Sequence, residues 1–352
     1  MRTGIANLPL HTGKAPQWLL NKMSKLAGLI IELVIREYGV NTLIDKLSDP
    51  FWFQALGCFL GFDWHSSGLT TTLCFAIKKG IRDREEEFGI FIAGGKGKYA
   101  LSTPDEIKKY GFKYGFDPSF FIYASRMSAK VDTICLQDGF SLYQHMIIFT
   151  PYGEWAVIQQ GMNPEVKLAR RYHWRGDKNK DFIIEPHSGI VCPKRMQTLN
   201  LTARESEASR SAITAIASEK MSGLISEYKK ARRLQMSLKF NYNPNLSLRR
   251  FEDAVLRIQD NNPTSFAKIV ETQGVGPATV RALALLAHLI YGAEPSFRDP
   301  AVYSYAHGGK DGVPYPVNRS YYDRTTKILR DFLNKARPEN KIDIKEFLRI
   351  TI

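Results

Sequence analysis

The stretch YQHMIIFTPYGEWAVIQQG, residues 143–161, decides the fold class of the first half of the chain. Two apolar runs flank TPYGE, in which Pro151 and Gly153 are typical turn residues. This pattern indicates a β-hairpin, whose two strands are antiparallel. A second apolar run, FGIFIAGGKG at residues 88–97, predicts a buried strand that leads into a glycine-rich turn.

Helical patterns lie around these strands and dominate the rest of the chain. From residue 202 a long segment carries apolar residues at helical spacing, and no strand pattern follows residue 240. The sequence therefore predicts an α+β protein. Residues 1–200 form a mixed α/β domain, the candidate location of a catalytic or lesion-binding pocket, and residues 201–352 form an all-α domain.

The composition favours a folded protein with a polyanionic partner. Hydrophobic residues make up 44% of the chain, enough for a substantial core, and the formal net charge is +14. A diffuse positive field of this size suits nucleic acid or a membrane surface; a basic protein without a polyanionic ligand is the alternative.

No apolar run is long enough to span a bilayer. The four cysteines lack the short spacing of zinc or cluster ligands. We expect a cytoplasmic protein without a membrane partner, and the sequence indicates no particular protein partner.

A second informative stretch is ETQGVGPATVRALALLA, residues 271–287. Helical segments precede and follow the two glycines, and Pro277 stands at a position suited to the first turn of the second helix. The glycines allow a tight turn and a close approach of another backbone. The first N–H groups of the second helix have no intrahelical partners, so they suit a phosphate oxygen.

Residues 264–290 resemble the helix-hairpin-helix module of DNA-binding proteins. The resemblance implies contact with the DNA phosphate backbone, with an apolar plug at Val275, and no reading of base sequence. It also implies a structural monovalent cation held by the backbone carbonyls of Val270, Thr272 and Val275. An ordinary helical hairpin is the alternative. The residues implied in DNA binding are Gln273, Gly274, Val275, Gly276 and Thr279.

The sequence SFRDPAVYSYA, which begins at residue 296, resembles a second feature of the DNA glycosylase superfamily. In that superfamily a catalytic aspartate follows the hairpin, and Asp299 stands at the matching place. A carboxylate there stabilises positive charge on the sugar or activates a water. The lysine nucleophile of bifunctional members is replaced by Ala278, which excludes lyase chemistry by that route. A simple helix cap is the alternative role of Asp299.

Over nearly its whole length the chain resembles an uncharacterised prokaryotic family, domain of unknown function 763. The resemblance rests on MRTGIANLPLHTGKAP (1–16), LQDGFSLYQH (136–145), EWAVIQQGMN (154–163) and FRDPAVYSYAHGGKDGVPYPVNR (297–319). This family implies no established activity.

The polar segment of residues 125–145 suggests a different chemistry. Lys130, Asp132, Asp138 and His145 lie close together in sequence, and nucleases place such groups around Mg²⁺ at the edge of a small sheet. No established nuclease spacing fits them. A solvated helix face is the alternative interpretation.

Two further segments are candidates for contact with nucleic acid. ARRYHWRGDKNK, residues 169–180, interleaves cations with rings, and its candidates are Arg170, Arg171, Tyr172 and Trp174. The glycine loops HTGK (11–14), AGGK (93–96) and HGGK (307–310) suit phosphate, and Lys310 is the candidate in the third loop. A basic loop held by a half-buried tryptophan and ordinary exposed turns are the alternatives.

These features support three hypotheses. The first is a DNA-repair enzyme that hydrolyses a base–sugar bond through Asp299 and needs no certain cofactor. The second is a Mg²⁺-dependent, structure-specific DNA nuclease with its site in residues 130–160. The third is a DNA-binding protein without catalysis that recruits other proteins.

Overall fold

A computed structural model describes residues 8–10, 15–62, 66–234 and 246–301. The helices are α1 (Gln17–Tyr38), α2 (Val40–Ser48), α3 (Pro50–Phe59), α4 (Ser67–Gly80), α5 (Glu85–Phe88), α6 (Lys98–Leu101), α7 (Thr103–Tyr114), α8 (Ser119–Lys130), α9 (Glu207–Ala217), α10 (Met221–Leu234), α11 (Leu248–Asp260), α12 (Phe266–Glu271) and α13 (Pro277–Tyr291). The strands are β1 (Phe91–Lys96), β2 (Leu136–Gln137), β3 (Ser141–Phe149), β4 (Trp155–Asn163), β5 (Leu168–Gly176), β6 (His187–Val191) and β7 (Leu199–Asn200). A π-helical turn, Val131–Cys135, follows α8 directly, and a 3₁₀ turn, Arg204–Ser206, precedes α9.

Five strands form one antiparallel sheet in the order β1-β3-β4-β5-β6. The predicted hairpin is confirmed: β3 and β4 pair in register from Phe149 opposite Trp155, with the predicted turn between them. The predicted buried strand at residues 88–97 is confirmed as β1, which pairs with β3. The chain is therefore a mixed helix-and-strand protein whose sheet is antiparallel.

Each face of the sheet packs against its own helical layer. Met146 and Ile148 of β3 point to one face and pack with α1–α4. Their neighbours Ile147 and Phe149 point to the other face and pack with α7 and α8. This alternation follows from the two-residue period of a strand, and both faces are apolar because both are covered.

The core on the second face continues into the helices beyond residue 200. Buried residues of α9, α11 and α13 belong to the same apolar cluster as Phe149 and Trp155 of the sheet. The boundary predicted near residue 200 therefore does not coincide with a break in this core. The long helix predicted from residue 202 is interrupted, because α9 ends at Ala217 and α10 begins at Met221.

The segment of residues 169–180, for which a basic loop was the alternative to contact with nucleic acid, is mostly strand β5. Arg170, Arg171, Tyr172 and Trp174 are completely buried in it. Of the helices in the described ranges, none combines the length and the apolar character needed to cross a membrane.

Candidate functional site

The turn between α12 and α13, with the first turn of α13, brings together five of the ten residues expected to contact DNA. Val275 is 5% exposed and packs in the core between the two helices, as an apolar plug would. Gly274 has φ +85°, a backbone conformation that side chains rarely adopt, and a Cβ there would collide with the Arg257 guanidinium. Gln273 and Gly274 are exposed at the tip of the turn.

The first turn of α13 is open to a ligand. Its N-cap is Gly276, so no side chain caps the helix, and no acidic residue stands in the first turn. A Cβ added to Gly276 would meet no atom within 4 Å. The first backbone N–H groups of a helix have no intrahelical partner, and here the N-cap beside them is open. Thr279, expected to contact a phosphate, is 4% exposed, so its hydroxyl does not lie open at the surface.

A lysine ammonium occupies the carbonyl cluster at the end of α12. The Lys130 Nζ donates to the backbone oxygens of Val270 (2.8 Å), Glu271 (2.9 Å) and Thr272 (2.8 Å). Three acceptors use all three N–H bonds of an ammonium. These are the last carbonyls of the helix, which lack intrahelical partners and lie at the negative end of its dipole. Val270 and Thr272 are two of the three residues expected to hold a monovalent cation.

The position of Lys130 depends on where α8 ends. Lys130 is the last residue of α8, and the π-helical turn Val131–Cys135 begins directly after it. Burial lowers the pKa of the Lys130 amine, while the Glu271 carboxylate raises it. Lys130 is half-buried and its ammonium binds three carbonyl oxygens, so it is not a free surface cation.

Two other cations, Arg281 and Arg257, lie beside the hairpin and were not among the residues predicted from the sequence. Arg281 of α13 donates through Nη1 to the Gln137 Oε1 (2.6 Å), and the Gln137 Nε2 donates to the Pro277 carbonyl (3.0 Å). Burial lowers the pKa of Arg281. Arg257 of α11 lies beside Gly274, and no sequence pattern links α11 to the turn. Arg281, four residues after Pro277, could have been found from its place one helical turn into α13.

The four β5 residues expected to bind DNA have other partners. Arg171 donates to the Gln54 Oε1 (2.9 Å), and the Trp174 Nε1 donates to the Asp132 Oδ2 (2.9 Å). Because Arg170, Arg171, Tyr172 and Trp174 have no exposed surface, the expected contact with DNA is not available at these positions. Their polar groups take part in several buried hydrogen bonds and ion pairs instead.

Asp299, the candidate catalytic residue, is a buried partner of Arg170. Its Oδ2 accepts from the Arg170 Nη2 (2.7 Å) and from the Met196 backbone N–H (2.7 Å). Its Oδ1 accepts from the Arg170 Nη1 (3.2 Å) and from the Ala301 N–H (2.8 Å). Its side chain is 2% exposed. Asp299 is therefore a buried ion-pair partner in this structure.

Asp138 is the second carboxylate on Arg170. Its Oδ2 accepts from the Arg170 Nη1 (2.8 Å) and from the Tyr172 hydroxyl (2.7 Å). Burial by itself would lower the pKa of the Arg170 guanidinium, but the carboxylates of Asp138 and Asp299 outweigh burial and raise it. Arg170 is therefore a permanent cation between two carboxylates.

The remaining nuclease candidates lie along a separate chain of hydrogen bonds. The His145 Nε2 contacts the Ser125 Oγ (2.8 Å), and its Nδ1 contacts the Gln159 Oε1 (2.8 Å). The Gln159 Nε2 then donates to the Asp132 Oδ2 (2.6 Å), whose other oxygen contacts the His187 Nε2 (2.5 Å).

This chain of hydrogen bonds does not bring the four nuclease candidates around one point. Lys130 points to the hairpin, Asp138 binds Arg170, and only Asp132 and His145 share a network, through Gln159. In the described ranges no three His, Cys, Asp or Glu side chains come together as metal ligands would.

Of the three glycine loops, one lies within the residues that the structure describes. HTGK (11–14) and HGGK (307–310), with Lys310, lie outside the residues that the structure describes. AGGK (93–96) forms the end of β1, where the Gly94 N–H donates to the Glu106 Oε2 (2.6 Å).

The fold and this site define a mixed helix-and-strand protein with an antiparallel sheet and an exposed helical hairpin. The chain belongs to the family described as protein of unknown function (DUF763), whose model matches residues 4–317. The family resemblance expected from the sequence is thereby confirmed. No curated protein and no solved structure matches the chain.

Proposed function

We propose that this protein binds DNA through the phosphate backbone, and that α12, the turn and α13 act as a helix-hairpin-helix module. The observation that carries the proposal is the open first turn of α13. A helix N-terminus without a side-chain cap, without acidic residues and with free space at Gly276 suits a phosphate oxygen.

The cations around the turn support the same proposal. Arg257 lies beside Gly274, Arg281 lies one turn into α13, and the exposed Arg126 is close enough to influence the pKa of Lys130. Together with the net charge of +14 they favour a polyanion. Contacts to phosphates position a protein without reading bases, so the binding is independent of sequence.

In this proposal Lys130 takes the role that a monovalent cation has in the modules that the hairpin resembles. Its ammonium neutralises the carbonyl oxygens at the end of α12 and fixes the entry to the turn. The DNA-binding surface then needs no bound metal ion to keep its shape.

Binding is supported better than either hydrolytic hypothesis. Base excision through Asp299 requires a carboxylate that faces a developing positive charge, whereas both oxygens of Asp299 are engaged by Arg170 and backbone N–H groups. A Mg²⁺-dependent nuclease requires convergent carboxylates, whereas Asp132 and Asp138 belong to different networks.

The test compares Gly276→Glu with Gly276→Ala in fluorescence anisotropy with short labelled duplexes of unrelated sequence. Glutamate places a negative charge where a phosphate binds, so we expect the affinity to fall about ten-fold or more. Alanine fits the open space at a permissive φ of −128°, so it serves as the matched control and retains most of the affinity.

Equal affinity of both variants, at unchanged thermal stability, would falsify binding at the hairpin. The same duplexes, incubated with Mg²⁺ or EDTA and then with alkali, separate the chemistries. A break that needs Mg²⁺ indicates a nuclease, and a break that appears only after alkali indicates a glycosylase.

A further inference from the structure

A large cleft lies on the face of the sheet opposite to the hairpin. It has a volume of about 1200 Å³ and is lined mainly by residues of α1, α4, β1 and β3, with Tyr99 of α6, Glu106 of α7 and Met162 of β4 at its margin. The hairpin packs into the apolar cluster on one face of the sheet, whereas Met146, which lines the cleft, belongs to the cluster on the other. The cleft is large enough for a small molecule, since ligand sites commonly measure about 300–1,000 Å³.

The cleft contains a buried amide with unused hydrogen-bonding capacity. Gln144 is 1% exposed, and neither its Oε1 nor its Nε2 has a hydrogen-bond partner among nitrogen and oxygen atoms. Its polar neighbour is the Cys74 thiol, a weak hydrogen-bonding group whose pKa burial raises to about 12. Of the six unpartnered buried polar atoms in the described ranges, the two on Gln144 are the ones that line this cleft. Leaving a buried amide unpaired costs stability, so the position is suited to a ligand.

The cleft is also positively charged. Among its described lining residues are four cations, Lys78, Lys79, Arg82 and Lys96, and one carboxylate, Glu106. Glu106 pairs with Lys78 at 2.7 Å, which leaves an excess of three positive charges. Lys96 stands directly opposite Gln144 in the pairing of β1 with β3, so the two residues are cross-strand neighbours.

Aromatic rings stand at the same cleft. Tyr99 and Phe75 line it and are 56% and 45% exposed. Exposed rings beside cations offer a flat apolar surface to a ring-containing anion.

We propose that this cleft binds a purine nucleotide. The neighbouring donor and acceptor of the Gln144 amide match the edge of adenine, the pairing that glutamine makes with this base in nucleic acids. Lys79, Arg82 and Lys96 would hold the phosphate, while Tyr99 or Phe75 covers the ring. The inference does not depend on DNA binding, because the cleft and the hairpin lie on opposite faces of the sheet.

The test is isothermal titration calorimetry of the full chain, without DNA, against adenosine monophosphate, adenosine and inorganic phosphate. We expect adenosine monophosphate to bind more tightly than adenosine alone or inorganic phosphate alone. Gln144→Leu should weaken the affinity for the nucleotide at least about ten-fold and leave the affinity for phosphate unchanged, because it removes only the contact with the base. It should not lower the unfolding midpoint, since leucine replaces an unpaired amide by an apolar group of similar size.

Lys96→Met should weaken the affinity for both the nucleotide and phosphate. Lys98→Met is its matched control, because Lys98 is exposed and does not line the cleft. Three outcomes would each overturn the proposal. The nucleotide does not bind, phosphate binds as tightly as the nucleotide, or the Gln144→Leu variant binds the nucleotide with full affinity. Gly276→Glu should bind the nucleotide like the wild type, so failure of the hairpin proposal and failure of this one are distinguishable.

Discussion

The Lys130 ammonium lies 2.8 Å from the Thr272 carbonyl oxygen, although 142 residues separate the two in sequence. Through this contact α8, which packs against the sheet, is connected to the turn that we propose binds DNA. The same ammonium also donates to Val270 and Glu271, so one side chain satisfies the three final carbonyls of α12.

Lys130→Met is the sharpest test of this relationship. It keeps the apolar stem but leaves the carbonyl oxygens of Val270, Glu271 and Thr272 unpaired. In Li⁺ we expect the affinity for duplex DNA to fall about ten-fold, equivalent to about 1.4 kcal/mol. K⁺ at the same ionic strength should restore part of it by occupying the carbonyl cluster. The wild type should respond equally to both ions, as measured by anisotropy and thermal unfolding.

Lys268→Met is the matched control for the lost charge. Lys268 lies on α12 itself, is exposed, and pairs with Glu271 outside the carbonyl cluster. It should lose little affinity and show no preference for K⁺. A Lys130→Met variant that responds identically to Li⁺ and K⁺ would contradict the assigned role.

Salt dependence gives an independent measure of phosphate contacts. The logarithm of the association constant should fall linearly with the logarithm of salt concentration, by about 0.9 for each neutralised phosphate on duplex DNA. Slopes should agree between duplexes of unrelated sequence, since backbone contacts carry no sequence information. A slope near zero would mean that the net charge of +14 serves another purpose.

Asp299→Asn separates a structural carboxylate from a catalytic one. Because Asp299 is buried against Arg170, loss of its charge should lower the free energy of unfolding by about 3 kcal/mol. The exposed Asp253→Asn on α11 should change it by less than about 0.5 kcal/mol. Urea titration followed by circular dichroism measures both variants. Unchanged stability of Asp299→Asn, with loss of an alkali-revealed DNA break, would instead support base excision.

Stability should also fall in mild acid because of two buried histidines. Burial lowers the pKa of His145 and, further, that of His173 below the ordinary value of 6.5. The unfolded chain therefore binds more protons than the folded one as pH falls below about 6.5, and the free energy of unfolding drops by up to about 1.4 kcal/mol per pH unit for each histidine.

Urea denaturation between pH 7.5 and pH 5.5 measures this slope. His145→Gln removes one of the two protons, so its slope should be shallower than that of the wild type. A parallel pH dependence in the two proteins would rule out the contribution of His145.

Local patterns in the sequence were sufficient for the features that depend on near neighbours. The β3–β4 hairpin was predictable because two apolar runs and a Pro-Gly turn lie within residues 143–161. The tight turn at Gly274 was predictable because a left-handed φ of +85° requires glycine. Both depend on residues only a few positions apart.

Long-range partners explain what the sequence could not reveal. Arginine is seldom buried without a partner, so Arg170 was expected at the surface. Its burial in β5 depends on Asp138 and Asp299, 32 and 129 residues away. The part played by Lys130 in the hairpin and the unpaired amide of Gln144 likewise become visible only in three dimensions.

The carbonyl cluster of the hairpin also limits how this module can be transplanted. A graft of residues 264–290 onto an unrelated scaffold would carry the carbonyls of Val270 and Thr272 but not the ammonium that satisfies them. Such a chimera would need either dissolved K⁺ or a lysine engineered at the matching place in its host. In this chain the hairpin and the end of α8 therefore form one structural unit, although 140 residues or more separate them in sequence.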